Sequence, residues 1–197
     1  MTTVATSEPK ARGVSRDRII EVSRAIVEDE GVEHLTIRRI AETIGRKQPA
    51  VYQHFESKEA IVAAVVLEGF VALAEHLKRA AKSQKSALSA IAKAYVRFGQ
   101  ERPRLYHVMF VDAPAFAFAA RNATPVPAQT AFGILASAVG ESGLDEHRVE
   151  TVTEVIWAAL HGLVTLSITN RLRAGRTVER DRLENLTSAI IAMTGAS

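Results

Sequence analysis

Apolar residues along this chain recur three and four positions apart, the spacing of one helical face, almost from end to end. Ile19, Val22, Ile26 and Val27 predict a helix over Ser15–Glu30, with Ser15 as its N-cap and Gly31 as its stop. Thr36 predicts the cap of a second, short helix. Leu35 before that cap and Ile40 within the helix form a hydrophobic staple, and Ile37, Ile40, Ala41 and Ile44 make one apolar stripe. Gly45 ends this helix. The interval to the next cap, Ser57, has room for one more short helix, and its first turn tolerates Pro49 because an N–H there has no intrahelical partner. Ser57 then opens a long helix from Lys58 to about Lys82, with Ile61, Val65, Phe70, Leu73 and Leu77 as core candidates.

Beyond it the pattern stays helical. Helices are predicted over Ser86–Gln100 and Pro103–Val111. A looser apolar stretch, Pro114–Ala120, precedes a helix that starts at Pro125 and Pro127 and runs to about Val139. Val149, Val152, Ile156, Leu160 and Leu163 mark a long helix ending near Arg173, broken at Gly175. A last helix, from about Glu179 to Met193, carries Leu183, Leu186, Ile190 and Ile191. No strand-like alternation of useful length and no repeat is visible. The fold class is all-α, with about nine helices. The expected organisation is an N-terminal arm over 1–14, a three-helix head over 15–58 and a helical body over 59–197.

Composition narrows the function. A hydrophobic content of 47% supports a sizeable core, so disorder is not the expected state. Without cysteine there is no disulfide scaffold, thiolate metal site or cysteine nucleophile. Met1–Val14 lacks the apolar stretch of a signal peptide, and no run approaches the roughly 18 to 20 apolar residues of a membrane span. A cytoplasmic location and no membrane partner are therefore expected. No HExxH, P-loop or GxSxG pattern occurs, and the six histidines lack metal-ligand spacing, so no catalytic residue, metal or cofactor is expected.

The net charge of +3 permits a nucleic-acid partner without demanding one. Its distribution says more. Lys10, Arg12, Arg16 and Arg18 make the arm basic, and Arg38, Arg39, Arg46, Lys47 and Lys58 form a second cluster around the Gly45 turn. Such a run alone reads as a solvated surface. Two short helices about a glycine turn, with cations beside it, suggest instead a helix-turn-helix whose second helix enters the major groove. Lys47, Gln48, Pro49, Ala50 and Gln53 can face outward from that helix, with Val51 inward. Gln48 and Gln53 suit adenine edges, and Pro49 and Ala50 suit thymine methyls.

The stretch LTIRRIAETIGRKQPAVYQHFESKE, Leu35 to Glu59, closely resembles the N-terminal signature of the tetracycline-repressor (TetR) family. The features that carry the likeness are Leu35-Thr36-Ile37-Arg38 before Ile40-Ala41, the Gly45 turn, and Val51-Tyr52 followed by His54-Phe55 and Ser57-Lys58-Glu59. The resemblance is strong over about Arg16 to Ala64. It implies a homodimeric regulator bound to an inverted-repeat operator on double-stranded DNA, usually a repressor, and responsive to a small-molecule effector. It also implies that Thr36, Tyr52, His54 and Lys58 hold phosphates, while Gln48, Pro49, Ala50 and Gln53 lie against bases. Lys47 departs from the serine that often caps the recognition helix in this family; it can neutralise a phosphate but cannot cap. Read without the motif, Tyr52 is a half-buried core aromatic, His54 a surface residue, and at most one of Arg38 and Arg39 reaches DNA.

The segment Glu101 to Phe110, ERPRLYHVMF, and Trp157-Ala158-Ala159-Leu160-His161-Gly162-Leu163 resemble one TetR subgroup with a Trp–His–Gly (WHG) C-terminal domain. That resemblance implies a four-helix dimer bundle, with Ala158, Ala159 and Gly162 permitting close approach. Phe70, Tyr95, Phe98, Tyr106, Met109, Phe110, Phe132, Trp157 and His161 are candidates to line a cavity for an apolar or aromatic ligand, although such residues on helices are commonly plain core. His161, four residues after Trp157 on one face, is either a polar anchor in that cavity or a satisfied core histidine. An enzyme, and a helical scaffold without DNA binding, are the competing classes; the basic turn and the Tyr52-x-His54 pattern speak against the second.

Overall fold

The computed structural model describes residues 14–82, 87–111, 126–173 and 176–194. Nine α-helices, and no strand, occur among them. They are α1 (Arg16–Asp29), α2 (Ile37–Thr43), α3 (Gln48–Tyr52), α4 (Lys58–Ala81), α5 (Ala87–Glu101), α6 (Pro103–Phe110), α7 (Val126–Gly140), α8 (Glu146–Ile168) and α9 (Arg176–Thr194), with a 3₁₀ turn at Val32–His34. Residues 1–13 of the expected arm over 1–14, the Pro114–Ala120 stretch, Pro125 and Gly175 lie outside the described residues.

The caps sit where the local chemistry puts them. Ser15, Thr36 and Ser57 each accept a backbone N–H of the first turn, from Arg18, Arg39 and Ala60 at 3.2, 3.1 and 3.1 Å. Gly45 takes φ +65°, and the turn it makes pairs two orphan carbonyls of α2: its own N–H donates to Glu42 at 3.1 Å, and that of Arg46 to Ala41 at 2.8 Å. The same device ends α8, five residues earlier than the expected stop near Arg173. Asn170 adopts φ +55° there, while the N–H groups of Asn170 and Arg171 close on Ser167 and Leu166 at 3.1 and 2.9 Å. Asparagine tolerates the left-handed region, so it stops the helix before Gly175 is reached.

One continuous core runs from Ile19 on α1 to Val164 on α8. Its axis is α4, whose residues 61–66 are all buried. On one side α4 packs against α1; on the others it meets α5, α6 and α7. By length and composition alone α4 and α8 pass for membrane spans, contrary to the sequence-based expectation. For α4 the reason is burial: 61% of its most apolar window is inside the fold, and the run 61–66, covered on all sides, is apolar on all sides. Only 22% of the corresponding α8 window is buried, and Val155, Trp157 and Leu166 remain exposed on it. Leu183 and Leu186 of α9 lean on the core.

Gly99 sets the separation of α5 and α8, since a Cβ there would strike Val164 and press on Tyr106. Gly99→Ala is expected to cost about 1–3 kcal/mol through overpacking. Thermal unfolding should then show a midpoint lower by roughly 2–10 °C; an unchanged midpoint would mean that α5 and α8 have room to spare.

Candidate nucleic-acid interface and internal cavity

The α2–turn–α3 unit is fixed from beneath. Leu35, Ile40 and Val51 are fully buried and Phe55 nearly so. Arg16 of α1 lays its guanidinium 4.8 Å from the centre of the Phe55 ring, which ties the start of α1 to the chain just after α3. With Val51 inward, helical geometry turns its neighbours outward. Gln48, Pro49, Gln53 and His54 are exposed, Ala50 is half-buried, and Tyr52 is 53% exposed. That exposure decides against the core reading of Tyr52. Pro49 occupies the first turn of α3, and Lys47 stands at the N-cap without a side-chain bond to the helix.

Arg38, Arg46, Lys47, Gln48, Pro49 and Tyr52 come together around one shallow surface depression between α2 and α3. Glu42 is in it too. Its carboxylate accepts from Arg38 Nε at 2.8 Å and raises the arginine pKa by hydrogen bonding and charge. Arg39 points elsewhere, to Glu30 at 2.7 Å. Thr36 is engaged in its cap, and Lys58 lies half-buried in the first turn of α4. The depression is cationic at its rim and wide open, as a surface that docks on a phosphate backbone must be.

A second feature lies inside the body. A cavity of about 460 Å³ is lined by α4, α5, α6, α7 and α8 and opens to the surface beside Gln129 and Trp157. Of the expected lining residues, Phe70, Tyr95, Met109, Phe110, Phe132 and Trp157 are on its wall, joined by aliphatic residues such as Leu73, Ile91 and Leu135. Phe98, Tyr106 and His161 are not. Phe98 faces His76 and the Arg102 guanidinium instead, at 6.2 and 5.2 Å. Tyr106 and His161 stand behind the wall and reach it through hydrogen bonds. The Tyr95 and Tyr106 hydroxyls are 3.0 Å apart, and Tyr106 Oη is 2.7 Å from His161 Nδ1. Burial pushes the Tyr95 hydroxyl up to about 12 and Tyr106 higher still, and it lowers His161.

Two residues escaped the sequence reading. Arg104, in the first turn of α6, donates to the main-chain oxygens of Glu28, at 3.2 Å, and of Asp29. These carbonyls end α1, where the helix dipole favours a cation. Arg102 adds an ion pair to Glu28 at 3.9 Å. Each contact spans more than 70 residues, so no local pattern announces it. Among the described residues no group of acidic, histidine or cysteine side chains is arranged to hold a metal ion.

The fold, the head and the outward polar face of α3 define a helix-turn-helix protein with a helical body. Residues 88–190 match the tetracyclin repressor-like C-terminal domain, and residues 19–65 match the bacterial regulatory proteins of the tetR family. The chain belongs to the TetR family. It is a DNA-binding transcriptional regulator, not an enzyme. It is 29% identical over 163 residues to an uncharacterized HTH-type transcriptional regulator of Mycobacterium tuberculosis, covering 79% of this chain and 71% of that one. Over 52 residues it is 40% identical to the class C tetracycline repressor protein of Escherichia coli, 26% of this chain and 24% of that one. Its fold matches a solved protein of unknown function from a Rhodococcus species, with TM-score 0.74 and 21% identity over 97% of this chain and all of that one. A tetR-family transcriptional regulator from Streptomyces coelicolor matches with TM-score 0.70 and 18% identity over 91% and 82%.

His76 and His161 both have pKa values lowered, chiefly by burial. The unfolded chain then binds more protons than the folded one as pH falls through the ordinary histidine value of about 6.5, so stability drops on acidification. Denaturant unfolding at a series of pH values should show this slope. The double variant His76→Gln/His161→Gln should flatten it; an unchanged slope would place its origin elsewhere.

Proposed function

We propose that the protein is a cytoplasmic, homodimeric repressor that binds an inverted-repeat operator and is released from it by a small ligand entering the body. One observation carries the release reading: the cavity wall includes α6, and α6 also grips the DNA-binding head. Met109 and Phe110 at one end of this eight-residue helix line the cavity, while Arg104 at the other end holds the last carbonyls of α1. α4 supplies a second link, since Phe70 lines the cavity on the helix that Lys58 begins. A ligand that favours one placement of α6 changes the placement of the recognition helix. Only a difference in affinity between the two arrangements can shift their populations.

The exposed apolar side of α8 supports dimerisation. Val155 and Leu166 face outward, and Gly162 has open space where a Cβ would stand, so a second copy can approach closely. Two-fold symmetry then requires a two-fold operator, with recognition helices separated by about one turn of DNA, roughly 34 to 36 Å, or somewhat more.

On this reading Lys58, Tyr52, His54 and Thr36 hold phosphates, with Lys47, Arg38 and Arg46 adding positive charge. Gln48, Gln53, Pro49 and Ala50 meet bases. Lys58→Ala should weaken binding to every sequence and reduce the salt slope by about one. Gln48→Ala should relax preference at particular base pairs, by about 1–3 kcal/mol where the contact is bidentate. Selection of operator variants by each protein separates the two effects, and equal loss across all sequences for Gln48→Ala would remove it from base readout.

Coupling is tested on Arg104. Arg104→Ala should leave the cavity intact but loosen its connection to α1. An inducer should still perturb the emission of Trp157, the sole tryptophan, at unchanged concentration, while more of it is needed to release DNA. If release and Trp157 emission still change together as in the parent protein, α6 is not the link.

A further inference from the structure

The cavity wall is mainly apolar, with Gln129 at its rim, and one of its polar groups can change its hydrogen-bonding sense. Tyr95 lines the cavity, and its hydroxyl is the cavity end of a hydrogen-bonded chain. Behind it runs the chain Tyr95–Tyr106–His161, with spacings of 3.0 and 2.7 Å. Every member of the chain can both give and take a proton in a hydrogen bond. When His161 carries its hydrogen on Nε2, Nδ1 accepts from Tyr106, Tyr106 accepts from Tyr95, and the Tyr95 oxygen shows the cavity a lone pair. When Nδ1 carries the hydrogen, both links reverse and the Tyr95 O–H points into the cavity. The two arrangements have the same net charge and leave no link of the chain broken.

We propose that the cavity takes an uncharged, mainly apolar ligand bearing one hydroxyl or carbonyl group, which docks on the Tyr95 hydroxyl while the Tyr95–Tyr106–His161 chain turns to match it. This rests on the reading of the cavity as the effector site and adds the chemistry of the effector. A carboxylate or ammonium ligand is excluded because the described lining offers no ionised side chain to pair with it, and an unpaired charge in apolar surroundings is costly. An entirely apolar ligand fits but gains nothing from the chain.

The proton state of His161 biases the choice. Doubly protonated imidazole has only donors, so Nδ1 must donate to Tyr106 and the Tyr95 O–H must face the cavity. Acid therefore favours ligands that only accept. The ring touches Tyr106 and Phe110 from α6 and Trp157 from its own helix, and Tyr95 of α5 is reached through Tyr106. The two tyrosines stay neutral over this range, and burial alone lowers the histidine.

The experiment uses the full chain and four probes of one shape: biphenyl, hydroxybiphenyl, acetylbiphenyl and biphenyl carboxylate. Binding is read by Trp157 emission and calorimetry, and operator release is read separately. Hydroxybiphenyl and acetylbiphenyl should bind about tenfold tighter than biphenyl, and the carboxylate about a hundredfold weaker than hydroxybiphenyl. Tyr95→Phe should remove the tenfold advantage and leave biphenyl binding alone. In the parent protein the affinity ratio of acetylbiphenyl to hydroxybiphenyl should rise as pH falls from about 8 to about 5; this arm decides the matter should Tyr95→Phe fail to fold. Equal binding of the carboxylate, a pH-independent ratio, an undiminished preference in folded Tyr95→Phe, or no binding of any neutral probe overturns the proposal. Probes that bind in the expected order but leave the operator occupied uphold it and overturn ligand release instead.

Discussion

The structure depends on a helix whose early turns, over 61–66, have no side fit for water. α4 buries residues 61–66 without interruption, and Phe70, Leu73 and Leu77 after them. These residues are covered by α1 from the head and by α5, α6 and α7 from the body, while Glu68, Val71 and Glu75 keep one face of the later turns in water. Head and body therefore share one core across the chain boundary expected near Lys58. Separation of the two would expose apolar surface at roughly 25 cal/mol for each Å². Their relative placement can shift but cannot come loose, and a regulator that works by displacement of its head has that requirement.

Within this frame two contacts divide the labour. The Arg16 guanidinium on the Phe55 ring and the buried Leu35, Ile40 and Val51 make α1, α2 and α3 one rigid unit. Arg104 holds that unit from the body side by hydrogen bonds to main-chain carbonyls at the end of α1. The buried Leu35, Ile40, Val51 and Phe55 of the first set are tightly packed and resist deformation. The second is a solvated polar contact, whose rearrangement exchanges protein partners for water at small net cost. Movement should concentrate at the second.

Features that depend on neighbours in sequence were legible in the residues. Caps at Ser15, Thr36 and Ser57, the Gly45 turn and the outward set on α3 follow from short-range hydrogen bonding and helical period. The end of α8 was misplaced because Gly175 was read as the stop signal, and Asn170 performs the same turn with a side chain. Phe98 was a cavity candidate by its aromatic type alone, and its place three residues after Tyr95 on α5 aims it at His76 instead. The relay through Tyr106 and His161 joins α5, α6 and α8, and its existence depends on how three helices cross. Residue spacing holds no information about that.

The grip of Arg104 on α1 falls on backbone oxygen atoms, which every amino acid supplies. Asp29 can be replaced by many residues without removing its share of the acceptor pair, so long as α1 keeps its final turn. Glu28 is less free, because its carboxylate also meets Arg24 and Arg102. The contact between body and head is thus insulated from most drift at the position it touches. Descendants of this chain can remodel the surface of α1 and keep this contact, but not lengthen or unwind its end.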